Sequence, residues 1–306
     1  ERNYAAATKN VSIFDSLNNS IITGHYGEIF KAKDSAIITR RAMAINIVDN
    51  DSLFIHADTL VATGPEDKRI LRGYYDVRIL KSDIRGRSDS IYLDESIGLT
   101  KLLNKPLTKK QEQVFTEADR NASNPVLWFG ESQMTGNKIF LLSDLETKKL
   151  DSIKITGNVF IIEKDTLSSD GFQQIKGGLL DGAFENGKLD NIVITKNTEM
   201  VYYLYNDEDL QLIGIDKTTC SALKMNFVEG QIDDITFLVS PIGDVYPEDE
   251  IPLNDRTLKG FIWRIKERPE TVEDLFDKND EADQFPEILK FQFPEESEKK
   301  ESEKKS

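Results

Sequence analysis

The sequence predicts an all-β protein: one elongated antiparallel sheet, built from repeated hairpins and folded over on itself. Three observations carry that expectation. Apolar and polar residues alternate in short runs, as in "DSLFIHADTLVATG" from Asp51. There Leu53, Ile55, Ala57, Thr59 and Val61 fall on one side of an extended chain, and Phe54, His56, Asp58 and Leu60 on the other. Turn residues punctuate the runs: "FENGK" at Phe184 and "VEGQ" at Val228 tolerate positive φ. Finally, three stretches of the second half align as repeats.

The elements follow in order. Residues 1–20 read as the remnant of an upstream unit. The chain opens at "ERNYAAATKN" without a methionine and shows no signal peptide, which reads as a mature or trimmed product and leaves an upstream export signal open. Strands are expected in "DSLNNSIITGHYGEIF", in "DSAIITRRAMAINI" from Asp34, at Asp51 and in "SDSIYLDESIGL" from Ser88, with a return strand in "GYYDVRILKSD" from Gly73. "LTKKQEQVFTEADRN", Leu107–Asn121, has helical composition, and Thr108 with Gln111 has capping-box spacing. A short exposed helix is expected there, inserted before "PVLWFGE" at Pro125.

The three repeats begin at Asn137, Gly177 and Cys220. Each is a strand, a polar turn, a hydrophobic-Asp-polar-Ile step and a second strand. The steps are "LDSI" at Leu150, "LDNI" at Leu189 and "IDDI" at Ile232. Their aspartates, Asp151, Asp190 and Asp233, are 190 − 151 = 39 and 233 − 190 = 43 residues apart. A residue repeated by the architecture reads as a strand-entry position rather than a catalyst. Ile21–Phe30 and Gly260–Arg264 are the expected terminal strands, so the folded unit spans 21–268 with its insertion at 107–121. From Pro269 to Ser306 there are 13 Asp/Glu against 6 Lys/Arg, a net of −7, and 269–306 reads as a largely disordered acidic tail.

Composition narrows function. A net charge of −15 argues against nucleic acid. One cysteine, Cys220, excludes an internal disulfide and a Cys-based zinc site, and it reads as a small buried residue. No run of about 18 apolar residues appears, so no transmembrane helix is expected. G-x-S-x-G, Walker A, G-x-G-x-x-G and H-E-x-x-H are all missing. His56 beside Asp58 reads as a surface polar pair. No catalytic residue, metal ligand or cofactor is assigned. What remains is one-sided apolar surface: Leu53, Ile55, Ile91, Leu93, Ile139, Leu141, Ile153, Ile155, Val159, Ile161, Ile192, Ile194, Leu223, Met225, Phe227, Ile235, Phe237 and Val239. These positions either pack as a plain core or line a trough.

The segments "GHYGEIFKAKDSAIITRRAMAI", "DSLFIHADTLVATG", "SDSIYLDESIGLTKL", "PVLWFGESQMTGNKI" and "LKGFIWR" resemble the OstA-like proteins, relatives of LptA and of the N-terminal domain of LptD. The resemblance covers roughly Ile21 to Arg264, and the insertion and acidic tail depart from it. It implies a β-jellyroll, a sheet bent into an open V, in the periplasm and with lipopolysaccharide as cargo. It also implies end-to-end pairing with LptC-like or LptD-like jellyrolls, or with itself, through edge strands. The eighteen positions are then a lipid groove. A fourteen-carbon acyl chain in water costs on the order of 10 kcal/mol, at about 0.8 per methylene, so a carrier needs shielding and no catalyst. Arg85, Arg87 and Lys138 are candidate rim cations for lipid phosphates. Two rivals stand beside this reading: a β-scaffold that assembles end to end without cargo, and a carbohydrate-active enzyme on a β-solenoid.

Overall fold

The computed structural model describes residues 3–16, 19–48, 51–228 and 231–276. The chain is all-β. Its strands are β1 Tyr4–Asp15, β2 Ser20–Phe30, β3 Ser35–Val48, β4 Asp51–Thr63, β5 Ile70–Leu80, β6 Ile84–Asp94, β7 Leu99–Leu103 and β8 Val126–Phe129, then β9 Ser132–Thr135, β10 Lys138–Ser143, β11 Leu150–Lys164, β12 Phe172–Glu185, β13 Lys188–Tyr205, β14 Leu212–Val228, β15 Gln231–Val239 and β16 Ile242–Tyr246. They form one 16-stranded sheet, mostly a meander of chain neighbours. Between β12 and β13 the turn is Asn186-Gly187, both at positive φ, which is the expected two-residue hairpin.

A line of bulges folds the sheet. Register breaks fall at Thr8/Val11 in β1, Thr39/Ala42 in β3, Thr156/Val159 in β11 and Thr195/Thr198 in β13. At each break two successive residues take left-handed φ: Lys9-Asn10, Arg40-Arg41, Gly157-Asn158 and Lys196-Asn197. Tyr75-Asp76 does the same in β5. Such pairs kink a strand and add twist. Aligned across neighbours, they make a crease with a wall of sheet on either side. Gly24 on β2 lets this corner form, since a Cβ there would lie 2.9 Å from the Thr39 carbonyl oxygen.

Inward rows cross each wall. In the first, Ile38, Leu60, Gly73, Ile91, Leu102, Ile139, Ile155, Leu180, Ile194 and Leu223 stand in successive register. In the second the row runs Ala44, Ile55, Ile79, Gly86, Leu127, Met134, Ile161, Ile175 and Met200. The two rows belong to one core. β7 and β10 complete the first wall, β8 and β9 the second. The insertion carries the chain between walls. It holds two short helices, α1 Lys109–Val114 and α2 Glu117–Ser123, where one was expected, each with a capping box, from Thr108 and Thr116.

Several expectations are corrected. Tyr4–Asp15 is a full first strand of the sheet, so Ile21–Phe30 is not the terminal one. Gly260–Arg264 is no strand. It belongs to a strap, 247–276, that runs back over the outer face of the second wall. Two buried glutamines clasp it. Gln174 Nε2 donates to Arg256 O at 2.8 Å and its Oε1 accepts from Leu258 N at 2.8 Å. Gln133 binds Ile262 O at 2.8 Å and Arg264 N at 2.7 Å in the same way. Each amide stands in for a strand edge, satisfying one carbonyl and one N–H two residues apart. Arg264 also donates to Asn124 O and to Glu267, and Arg87 binds Glu267 at 3.0 Å. The strap ends on a small core of Leu275, Phe276, Met43 and Leu80. The folded unit therefore reaches past Arg268 to Phe276. The expected disorder of 277–306 and the "VEGQ" turn lie outside the described residues.

Candidate functional site

Seventeen of the eighteen predicted groove positions share one interior. Ile55, Ile91, Ile139, Leu141, Ile153, Ile155, Val159, Ile161, Ile192, Ile194, Leu223 and Met225 are buried there, and Leu53, Leu93, Phe227, Ile235 and Phe237 pack against them. Val239 is the exception, 47% exposed beside the split last edge, where β15 and β16 both pair with β14.

The interior is not a uniform lane. From β10 to β14 the walls pack into one core whose central inward residues are closed to solvent, with Leu150, Phe184, Leu189, Tyr202 and Phe227 partly buried at its margins. Toward β1–β5 they stand apart around a chamber of about 310 Å³. The second wall lines it with Ile13, Ile22, Ala44, Leu53 and Ile55, and the first with Ile29, Ala36, Ala62, Leu71 and Leu93. Ala44 on one wall and Ala36 and Ala62 on the other border the space, and their short side chains leave part of it unfilled.

The margins opposite the crease are bridged. Arg69 in the turn before β5 reaches Asp15 of β1 at 3.4 Å and donates to Gly64 O at 2.6 Å. Asn46 of β3 donates to Glu95, beyond β6, at 3.4 Å. Further along, Phe129 and Phe184 meet with ring centroids 5.6 Å apart. These contacts join one wall to the other and form a seam. Burial raises the Glu95 carboxyl pKa, and Asp15 adds to the rise, against Lys148, Arg69 and Asn46. The chamber mouth also carries Lys31 and Asp34, so its polar groups are of both signs.

Other candidates sit elsewhere than expected. His56 is buried rather than on the surface: Nδ1 lies 2.8 Å from Ala42 O, and the ring meets Phe276 edge-on at 4.9 Å. The bulges on either side of Asp58, Arg40-Arg41 in β3 and Tyr75-Asp76 in β5, also shift the alternation of β4, so Leu60 is fully buried on Leu53's side rather than opposite it. Arg85 and Arg87 are not rim cations of the chamber. Arg85 donates to Lys81 O and Ser82 O, and Arg87 pairs with Asp76 and Glu267. Lys138 is exposed on β10. Cys220 is buried, and burial pushes its thiol pKa up. Asp151 and Asp190 occupy strand starts, as the repeat suggested. Among the described residues no group of three or more His, Cys, Asp or Glu is placed to hold a metal, and no helix is long and apolar enough to cross a membrane.

No family model matches the chain, and no curated protein matches it. Among solved structures, the chain is similar to LptH of Pseudomonas aeruginosa, described as the LptA-homologous periplasmic component of the lipopolysaccharide transport device. Identity is 12%, the TM-score 0.36, and the match covers 54% of this chain and 95% of that one. At that score the likeness carries no functional weight.

Proposed function

We propose that this chain is a non-enzymatic lipid carrier of the periplasm that shields acyl chains of a lipopolysaccharide-type lipid between its two walls on the way to the outer membrane. The observation that supports the reading is the alkyl-lined chamber between the walls at the β1–β5 end, about 310 Å³ in volume. That is the lower end of the size range of small-molecule sites, roughly 300–1,000 Å³. Each methylene moved there from water contributes about 0.8 kcal/mol. One acyl segment fits, with its headgroup at the polar mouth. Handover runs end to end: β1, largely exposed, and the β15/β16 edge are open to LptC-like or LptD-like jellyrolls or to a second copy.

Photo-crosslinking probes at Leu53 and at Ile194 test this with lipopolysaccharide and with phospholipid vesicles. Labelling by lipopolysaccharide is expected at Leu53 and not at Ile194. Ala44→Leu, which narrows the chamber, should cut that labelling about tenfold. A folded protein that never labels at Leu53 would sink the carrier reading. A second reading has its own observation: the interlocked interior from β10 to β14 and the bridged seam suit a cargo-free scaffold. It predicts end-to-end assembly of lipid-free protein with no uptake by any variant.

A further inference from the structure

β3 and β4 are held from behind. Ala44 and Ile55 face the chamber, while their neighbours Met43, Phe54 and His56 face the strap on the other side of the same strands. Leu275 is fully buried against Met43 and Leu80. The ring of Phe276 lies edge-on to His56, and the Arg41 guanidinium carbon sits 3.8 Å from its centroid. Arg41 is itself one of the two left-handed residues that bend β3 at the crease. The anchor thus grips the bend and both strand backs at one point. On the chamber side β3 and β4 border open volume, through Ala36, Ala44 and Ala62 as well as Leu53 and Ile55, and inward movement of these strands would remove it.

We infer that Leu275 and Phe276 are positioning residues for the chamber: the end of the strap holds β3 and β4 at the separation that keeps it open. The inference rests on the carrier reading only for its lipid readout, because chamber geometry can be followed without lipid.

The test compares the full chain with L275A/F276A and with Leu258→Ala. Leu258 belongs to the strap's other core, against Phe160 and Val201, far from the chamber. Amide exchange over 36–46 and 53–62 should quicken about tenfold in L275A/F276A and stay unchanged over 150–228. Loading of a fluorescent single-chain fatty acid, cis-parinaric acid, should drop about fivefold. Leu258→Ala should leave both readouts as in wild type. If the double variant does not fold, Phe276→Leu keeps the apolar bulk, loses the ring contacts and should show the same pattern at smaller size. Equal exchange at β3–β4 in wild type and variant overturns the inference. So does equal acceleration by Leu258→Ala, since any weakening of the strap would then suffice. Localised acceleration without fatty-acid uptake by any form supports the positioning role and counts against the carrier reading alone.

Discussion

Across β3 and β4 the buried inward residues include Ala42, Ala44, Ala57 and Ala62 beside Ile38, Ile55 and Leu60; across β11 to β14 they include Ile153, Ile155, Leu180, Ile192, Ile194, Leu223 and Met225. Backbone architecture is the same at both ends: long antiparallel strands, a crease of left-handed pairs, an inward row on each wall. Within that core the alanines are confined to β3 and β4. One end leaves a chamber, and the other closes into a packed core. A folded sheet therefore has no intrinsic groove. Its width at each point is set by the residues that alternate inward, and a carrier and a scaffold can share one backbone.

The largest expected effect tests the filled end. Ile155→Ala should cost about 2–5 kcal/mol in urea unfolding, the usual range for a buried isoleucine whose surroundings cannot collapse. Ile55→Ala at the chamber wall should cost clearly less, because its side chain already borders open space. Equal losses would mean that the chamber is packed in solution.

The glutamine clasps come next. Gln174→Ala leaves the Arg256 carbonyl and the Leu258 N–H without their partners, and Gln133→Ala does the same at Ile262 and Arg264. Each should cost about 2–3 kcal/mol, since unsatisfied buried groups are expensive. The two sites share no partner, so the double variant should be additive within about 0.5 kcal/mol. A smaller sum would show that the strap detaches as a unit once either clasp is lost.

Overpacking reverses the comparison. Leu180→Phe in the filled end should cost about 1–3 kcal/mol, whereas Ala44→Leu, with room to enter, should fall within about 1 kcal/mol of wild type. Thermal melts of the two variants check this directly.

Much of the fold is legible in the sequence because its signals are local. Asn186-Gly187 names its own hairpin, and Thr108 with Gln111 its own cap. The crease is written too, in Thr8-Lys9-Asn10, Thr39-Arg40-Arg41, Thr156-Gly157-Asn158 and Thr195-Lys196-Asn197, but alternation alone passes over it. Asparagine, present in three of the four, tolerates left-handed φ. Missing the bulges that flank Asp58, Arg40-Arg41 in β3 and Tyr75-Asp76 in β5, put Leu60 on the wrong face. The strap was illegible for a different reason. Its partners are remote, Gln133 lying 131 residues from Arg264, and Leu275-Phe276 sits among acids that resemble a tail. The chamber needed both kinds of information: which residues face inward, and that the alanines of two walls face each other.

The smallest effects concern two carboxylates with opposite pH signatures, one on the seam and one on the strap. Burial pushes the Glu267 pKa up, but the Arg264 and Arg87 guanidiniums outweigh it and hold the group below its ordinary value. Its contribution is present above the unfolded pKa and lost as pH falls through the folded one, so acid loosens the strap. Glu95 is raised by burial and by Asp15. Its contribution is present below the unfolded pKa and lost as pH rises through the folded value, so ionisation strains the seam beside the chamber. Urea midpoints measured between about pH 3 and 7 should separate them. Glu267→Gln should remove stability at the neutral end and flatten the acid limb. Glu95→Gln should leave the acid limb intact and raise the neutral end slightly. A Glu95→Gln chain that loses stability at neutral pH would show that the charged carboxylate closes the seam, and the chamber mouth would then open on acidification.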